Sequence, residues 1–204
     1  MSASPPGTTI LPVYGKTPRI HDSAFIAPGC RIMGDVEIGP DVSIWYNCVI
    51  RGDINRIVVG ARSNIQDGTV VHCDKPKPNR PEGHPTIIGE DVLIGHMAMV
   101  HGCTLHDRAF IGLGSIIMDG CVVESDGMLA AGAMLSPGKR IASRQLWMGR
   151  PAKYARDLTD AALAEMQSGV AGYVENGRIH RAAVDGAAQG LISARPGNTR
   201  AGRC

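Results

Sequence analysis

The sequence predicts a mainly β protein, a parallel β-helix of hexapeptide repeats with a C-terminal α-helix. The first observation behind this is an aliphatic repeat of six. Steps of six from Ile20 land on Ile26, Ile32, Ile38, Ile44 and Ile50. The phase resumes at Val59, Ile65 and Val71, and again at Ile88, Ile94 and Val100. After a slip of one residue it continues through Leu105, Ile111, Ile117, Val123, Leu129, Leu135 and Ile141. The second observation is what lies between. Four positions on, a small residue recurs (Ala24, Cys30, Cys48, Ser63, Thr69, Ala98, Ala109, Ser115, Cys121, Ala133), with turn formers nearby as in IGPD, IGED and IGLG. A period of six matches neither the 3.6-residue helical turn nor simple strand alternation. It matches short strands joined by tight turns, with one aliphatic pointing inward per hexad. Three hexads make a coil of about 18 residues, and coils stack about 4.8 Å apart.

The elements follow in order. Residues 1–19 form an N-terminal segment ahead of the repeat, and residues 20–146 form the β-helix domain, about six coils. Within it, CDKPKPNRPEGHPTI (73–87) carries four prolines and no hexad. Proline cannot donate to a ladder, so this stretch is a loop leaving the coil. After GRPAK (149–153), Thr159 is placed to cap a helix beginning DAALAEMQ, within a C-terminal helical segment 147–182. Gly169, Gly172 and Gly177 weaken its later part. The final stretch, 183–204, is Gly, Ala and Arg without periodicity and reads as a disordered tail.

Composition excludes several function classes. The 204 residues carry 21 basic and 19 acidic side chains, net +2, which leaves no basic footprint for nucleic acid. No apolar run reaches the roughly 18 residues of a membrane span. The start, MSASPPGTTI, lacks the features of an export signal. Six cysteines are too sparse for a disulfide scaffold, so the expected setting is cytoplasmic with reduced thiols. With only 4% aromatic residues, the core must be built from Ile, Val and Leu.

The repeat also assigns positions to the histidines. Stacking the coils 38/44/50, 59/65/71 and 88/94/100 puts Ile50, Val71 and Val100 on one face, each followed by Arg51, His72 and His101. His72 and His101 should then lie on adjacent rungs, about 4.8 Å apart. Two nitrogens bound to a tetrahedral zinc are about 3.3 Å apart, so such a pair suits a metal. His96 is the second residue after Ile94, on the preceding face, where the coil below places Asp67. It can join the pair only from another subunit, as in a threefold ring. His21, His106 and His180 fall outside this cluster and read as surface residues, and His84 lies in the loop. Cys73 and Cys103 stand beside the candidate ligands and could compete as thiolates. Cys30, Cys48 and Cys121 occupy the small-residue position and read as core filling.

On this repeat sit RGD (51–53), NIQDG (64–68), VH (71–72), IGHMAMVHGC (94–103) and GRPAK (149–153). Over about residues 10–180 the chain resembles the γ-class carbonic anhydrases. The resemblance implies a left-handed β-helix and a homotrimer with zinc, or iron or cobalt, between subunits. It makes His72, His96 and His101 the metal ligands and Gln66 the residue orienting a metal-bound hydroxide. Arg51 and Asp67 would pair across the interface, Asp53 and Asn64 would support the site, and Tyr173 would lie near the metal. The implied reaction is that of a carbonate dehydratase, attack of zinc-bound hydroxide on CO₂ to give bicarbonate. Ile54 stands where archetypal members carry glutamate. The loop bears Lys75, Lys77 and Arg80, with only Asp74 and Glu82 acidic, which implies slow proton export and low turnover. Rival readings are a hexapeptide acyltransferase or CoA thioesterase, and a non-catalytic trimeric scaffold. Metal content separates the first of these from a carbonic anhydrase.

Overall fold

In a computed structural model describing residues 5–193, the chain is a left-handed parallel β-helix followed by one long helix. Three faces are built of short strands, each paired in register with the rung above and below. The histidine face stacks Ile10, Ile32, Ile50, Val71, Val100, Ile117 and Leu135. A second face stacks Ile20, Ile38, Val59, Ile88, Leu105, Val123 and Ile141. The third, covered by the helix, stacks Ile26, Ile44, Ile65, Ile94, Ile111, Leu129 and Trp147. Parallel strands ordinarily need long crossovers. Here each strand meets its partner only after a full coil, so tight corners suffice.

The prism has room for one aliphatic per strand. Ile32, Ile44, Ile50, Ile65, Ile94 and Ile111 are completely buried. The small residues at the corners fill what remains. Cys30, Cys48 and Cys121 are buried there, as the repeat predicts. Where the corner residue is polar it is bonded, as Thr69 Oγ1 donates to Gly95 O at 3.1 Å. Most corners place one residue in the left-handed region, three positions before the inward residue; Gly68 and Gly114 are examples.

Departures from period six gather at one corner, between the histidine and second faces. Nine residues rather than six separate Ile50 from Val59, and seventeen separate Val71 from Ile88. The second insertion is the proline-rich loop. It forms a hairpin, with antiparallel bridges Asp74–His84 and Lys77–Arg80. The first insertion supports it from below, because Asn55 Nδ2 donates to Asp74 O (2.9 Å) and Glu82 O (2.8 Å).

The solenoid extends beyond 20–146 at both ends. Thr9–Leu11 pairs with the rung at Arg31, and Gln145–Gly149 adds a last rung before turning back, antiparallel, as Ala152–Asp157. The helix runs Asp160–Ser193. Thr159 caps it, its Oγ1 accepting from the Ala162 amide at 3.2 Å. The glycines do not end it. At Gly177 a side chain would come within 3.3 Å of Ser43 Cβ, so glycine lets the helix lie close on the sheet. The helix also continues into the stretch 183–204 read as disordered. AAVDGAAQG is alanine-rich, and helix propensity outweighs the missing periodicity. Residues 194–204 lie outside the described residues. No described helix is long and apolar enough to cross a membrane.

Replacing Ile65 by Ala should destabilise the fold by about 2–5 kcal/mol, seen as a lowered urea midpoint. Thr159→Ala should cost about 1 kcal/mol through the helix start. Equal midpoints for Ile65→Ala and wild type would contradict the packing described.

Candidate metal centre

His72 and His101 end neighbouring strands, Val70–His72 and Met99–His101, and are paired directly across them. Their rings meet at a 61° angle, with His72 Nδ1 3.0 Å from His101 Nε2. The outer nitrogen of each ring is held by a carboxylate. His72 Nε2 donates to Asp53 Oδ1 at 3.0 Å, and His101 Nδ1 donates to Asp119 Oδ1 at 2.5 Å. An ionised carboxylate only accepts, and a neutral imidazole has one N–H. That N–H is therefore spent outward on both rings, and the two facing nitrogens are bare lone pairs 3.0 Å apart. Such an arrangement is repulsive unless a proton or a metal cation lies between them. The separation is close to the roughly 3.3 Å of two ligands on a tetrahedral zinc, and a carboxylate behind each histidine is the usual support of a metal-bound imidazole. The residues present fit a divalent metal.

The electrostatics agree. Burial holds the His72 imidazole below its ordinary pKa, outweighing the opposite pull of Asp53, so His72 is neutral near pH 7. Burial would raise the Asp53 carboxyl, but hydrogen bonds from His72 and Arg51, with the Arg51 charge, outweigh it and keep Asp53 below the usual range. Asp53 stands in the insertion after Ile50. Its second oxygen takes Arg51 Nη1 at 2.6 Å. Within the chain Arg51 thus pairs with Asp53, while Asp67 bonds elsewhere.

Asp119 was not among the residues expected from the sequence. It is the second residue after Ile117, one rung above His101. A signal existed in that register, because the corner below it is Gly102. A Cβ at Gly102 would lie 2.2 Å from Asp119 Oδ1, so only glycine leaves Asp119 its path to His101. His84 closes the same corner from the loop, its ring 2.9 Å from where a Cβ at Gly120 would stand.

Cys73 and Cys103, expected as possible competitors, point into the core instead and are buried. Burial pushes the Cys73 thiol up to about 11 and raises that of Cys103 too, so neither presents a thiolate.

The remaining candidates lie around the corner. His96 is on an exposed turn, its Nδ1 bonded to Asp67 Oδ2 at 2.8 Å, which leaves Nε2 pointing away. Asp67 Oδ1 also accepts the Tyr46 amide. Among the described residues, no three His, Cys, Asp or Glu side chains of the one chain converge to hold a metal. Beneath the helix, Gln66 and Asn64 are buried, with Gln66 Nε2 donating to Asn64 Oδ1 at 3.1 Å, while Asn64 Nδ2 has no partner. Tyr173 packs edge-on against Trp45, and burial, then the Asp67 charge, raises its phenol. It belongs to the Asp67 side, not to the His72–His101 pair. His180 is not a surface residue. It lies half-buried on the inner side of the helix against Trp45, with Nδ1 2.9 Å from the Tyr46 hydroxyl.

The family described as "Bacterial transferase hexapeptide (six repeats)" matches residues 17–52. The chain is 45% identical over 174 residues to γ carbonic anhydrase 1, mitochondrial, of Arabidopsis thaliana, covering 85% of this chain but spanning only 63% of that relative's length. It is 43% identical to a carbonic anhydrase of Geobacillus kaustophilus, covering 85% of this chain and 91% of that one. Among solved structures, a hexapeptide transferase family protein from Anaplasma phagocytophilum matches with a TM-score of 0.78 at 44% identity, over 83% of this chain and 96% of that one. Identity at this level over most of both chains makes this protein a member of the γ-class carbonic anhydrase family.

Proposed function

We propose that the protein is a carbonic anhydrase, hydrating CO₂ to bicarbonate and a proton at a metal site shared between copies of a homotrimer. The observation that carries this reading is the pair of bare imidazole nitrogens, His72 Nδ1 and His101 Nε2, each backed by a carboxylate on the far side. His96 of a second copy supplies the third ligand. Its Nδ1 is already held by Asp67, and Nε2 is free to reach outward. The relatives named carbonic anhydrases support the same reaction.

A divalent zinc, or iron or cobalt in its place, supplies there the Lewis acidity that makes water a nucleophile near neutral pH. The chain's own residues do the rest. Asp53, Asp119 and Asp67 fix the three imidazoles in tautomer and direction. Gln66, steadied by Asn64, presents its amide to the reacting oxygen. Arg51 neutralises Asp53 and, at the interface, pairs with Asp67 of the next copy. Tyr173 closes the Asp67 side. Exposed apolar side chains surround the histidines, with Met97 71% and Leu113 58% exposed and Met99 and Met118 partly so. A docking copy would bury them. The basic loop, with Lys75, Lys77 and Arg80, leaves only Glu82 and an Asp74 already paired with Lys77 as acidic relays for the proton, so turnover is low.

Elemental analysis with stopped-flow CO₂ hydration tests the reading; a metal-free protein that turns over acyl-CoA instead would overturn it. His72→Ala, His96→Ala and His101→Ala should each lose metal. Mixing chains carrying His96→Ala with chains carrying His72→Ala should regenerate some intact sites, and no recovery in mixed trimers counts against sharing. Asp119→Asn should keep the fold and weaken metal binding about 10- to 100-fold in chelator competition. Gln66→Ala should retain metal and lose activity; unchanged activity removes Gln66 from the mechanism.

A further inference from the structure

At the corner between the second face and the helix face, the left-handed position is never glycine from Asp41 onward. Rung by rung it holds Asp41, Arg62, Asp91, Arg108, Asp126 and Arg144, each three residues before the residue stacked on the helix face and each with φ between 54° and 63°. They form one column. The Arg62 amide bonds Pro40 O, Asp91 bonds Ala61 O, Arg108 bonds Glu90 O and Asp126 bonds Asp107 O. The signs alternate along its whole length. The other two corners fill the same position mainly with glycine, as at Gly29, Gly68, Gly114 and Gly132, or Gly102, Gly120 and Gly138. Arginine is disfavoured in this conformation. Three arginines where glycine would serve imply that the charge itself is wanted.

The middle of the column satisfies itself. Arg62 meets Asp91 at 2.8 Å and Glu90 at 2.7 Å, and Arg108 meets Asp126 at 2.8 Å. Its two ends, Asp41 and Arg144, are left for the helix. Arg144 pairs with Asp160, the first helical residue, and Asp41 lies 3.8 Å from Arg178 further along. The helix thus runs back down the solenoid with its acidic start at the basic end of the column and a basic residue at the acidic end.

Exposed ion pairs add little to affinity, so these pairs do little to tighten docking. They discriminate between arrangements. The chain already sets the direction, because the Leu158 amide bonds Arg144 O two residues before the helix; a helix slid or rolled by a turn would instead take Arg178 away from Asp41. We propose that this column is an electrostatic template that fixes the register of the C-terminal helix along the sheet, and so holds Tyr173 and His180 on the face beside Asp67. This does not depend on the metal or on the reaction.

Hydrogen exchange of the full-length protein, read by mass spectrometry, tests it. Arg178→Glu and Arg144→Glu should each speed exchange of the helix amides by roughly two- to tenfold at low salt, with solenoid amides unchanged. The difference should shrink at about 1 M salt, where screening reaches about 3 Å. Restoring opposite charges with Asp41→Arg in the Arg178→Glu background should recover protection. Helix exchange at the wild-type rate in both reversals, an effect unaltered by salt, solenoid amides that speed up equally, or no recovery in the exchanged pair would each overturn the proposal.

Discussion

Every position in this molecule is set by rung-over-rung pairing around a core one aliphatic wide. Ile44 can lie only above Ile26 and below Ile65, because each strand offers a single inward side chain and the prism has no room for a second. Sliding one rung along its neighbour would turn a polar residue inward and an isoleucine outward. Packing therefore fixes register, and register turns spacing along the chain into columns in space. Histidines, alternating charges and small corner residues each become columns without any contact selecting them directly.

The candidate centre is built where that repetition fails. Asp53 reaches His72 because three extra residues follow Ile50, and the same insertion braces the loop through Asn55. Asp119 reaches His101 past the corner where the repeat is one residue short, at Gly102. A regular coil aligns the two histidines and sets Asp119 one rung above, but the carboxylate behind His72 needs the extra residues. The irregular turns supply Asp53 and the gap at Gly102 through which Asp119 passes, and a narrow fold thereby acquires a site with depth.

Burial sorts the possible ligands by chemistry. Imidazoles on the outside of the face keep lone pairs available, and partial burial keeps His72 neutral. Thiols one or two residues away point inward, where burial holds them protonated. Under the helix the polar residues are less completely matched. Asn64 retains a buried amide hydrogen without an acceptor, a costly feature in a core and one consistent with a face that functions in partnership with another surface.

How far the sequence could be read depended on how local each cause is. Period six is written in the chain itself, so the β-helix, the inward aliphatics, the excursion at 73–87, the cap at Thr159 and the stacking of His72 on His101 are all legible from spacing. The extent of the helix is hidden from periodicity because its later part is alanine-rich rather than striped with apolar residues. Inward and outward at Cys73 and Cys103 depended on the shape of an irregular corner, and the half-burial of His180 on where its helix comes to rest on the solenoid. Asp119 lies eighteen residues from its histidine, and the Gly102 that leaves it room marks the path without naming the residue that uses it. Sequence alone determined which residues share a column, since a repeat is a one-dimensional property. Only the tertiary structure decided which nitrogen each histidine presents, because that depends on carboxylates delivered by insertions and by the rung above, through side-chain directions that spacing does not contain.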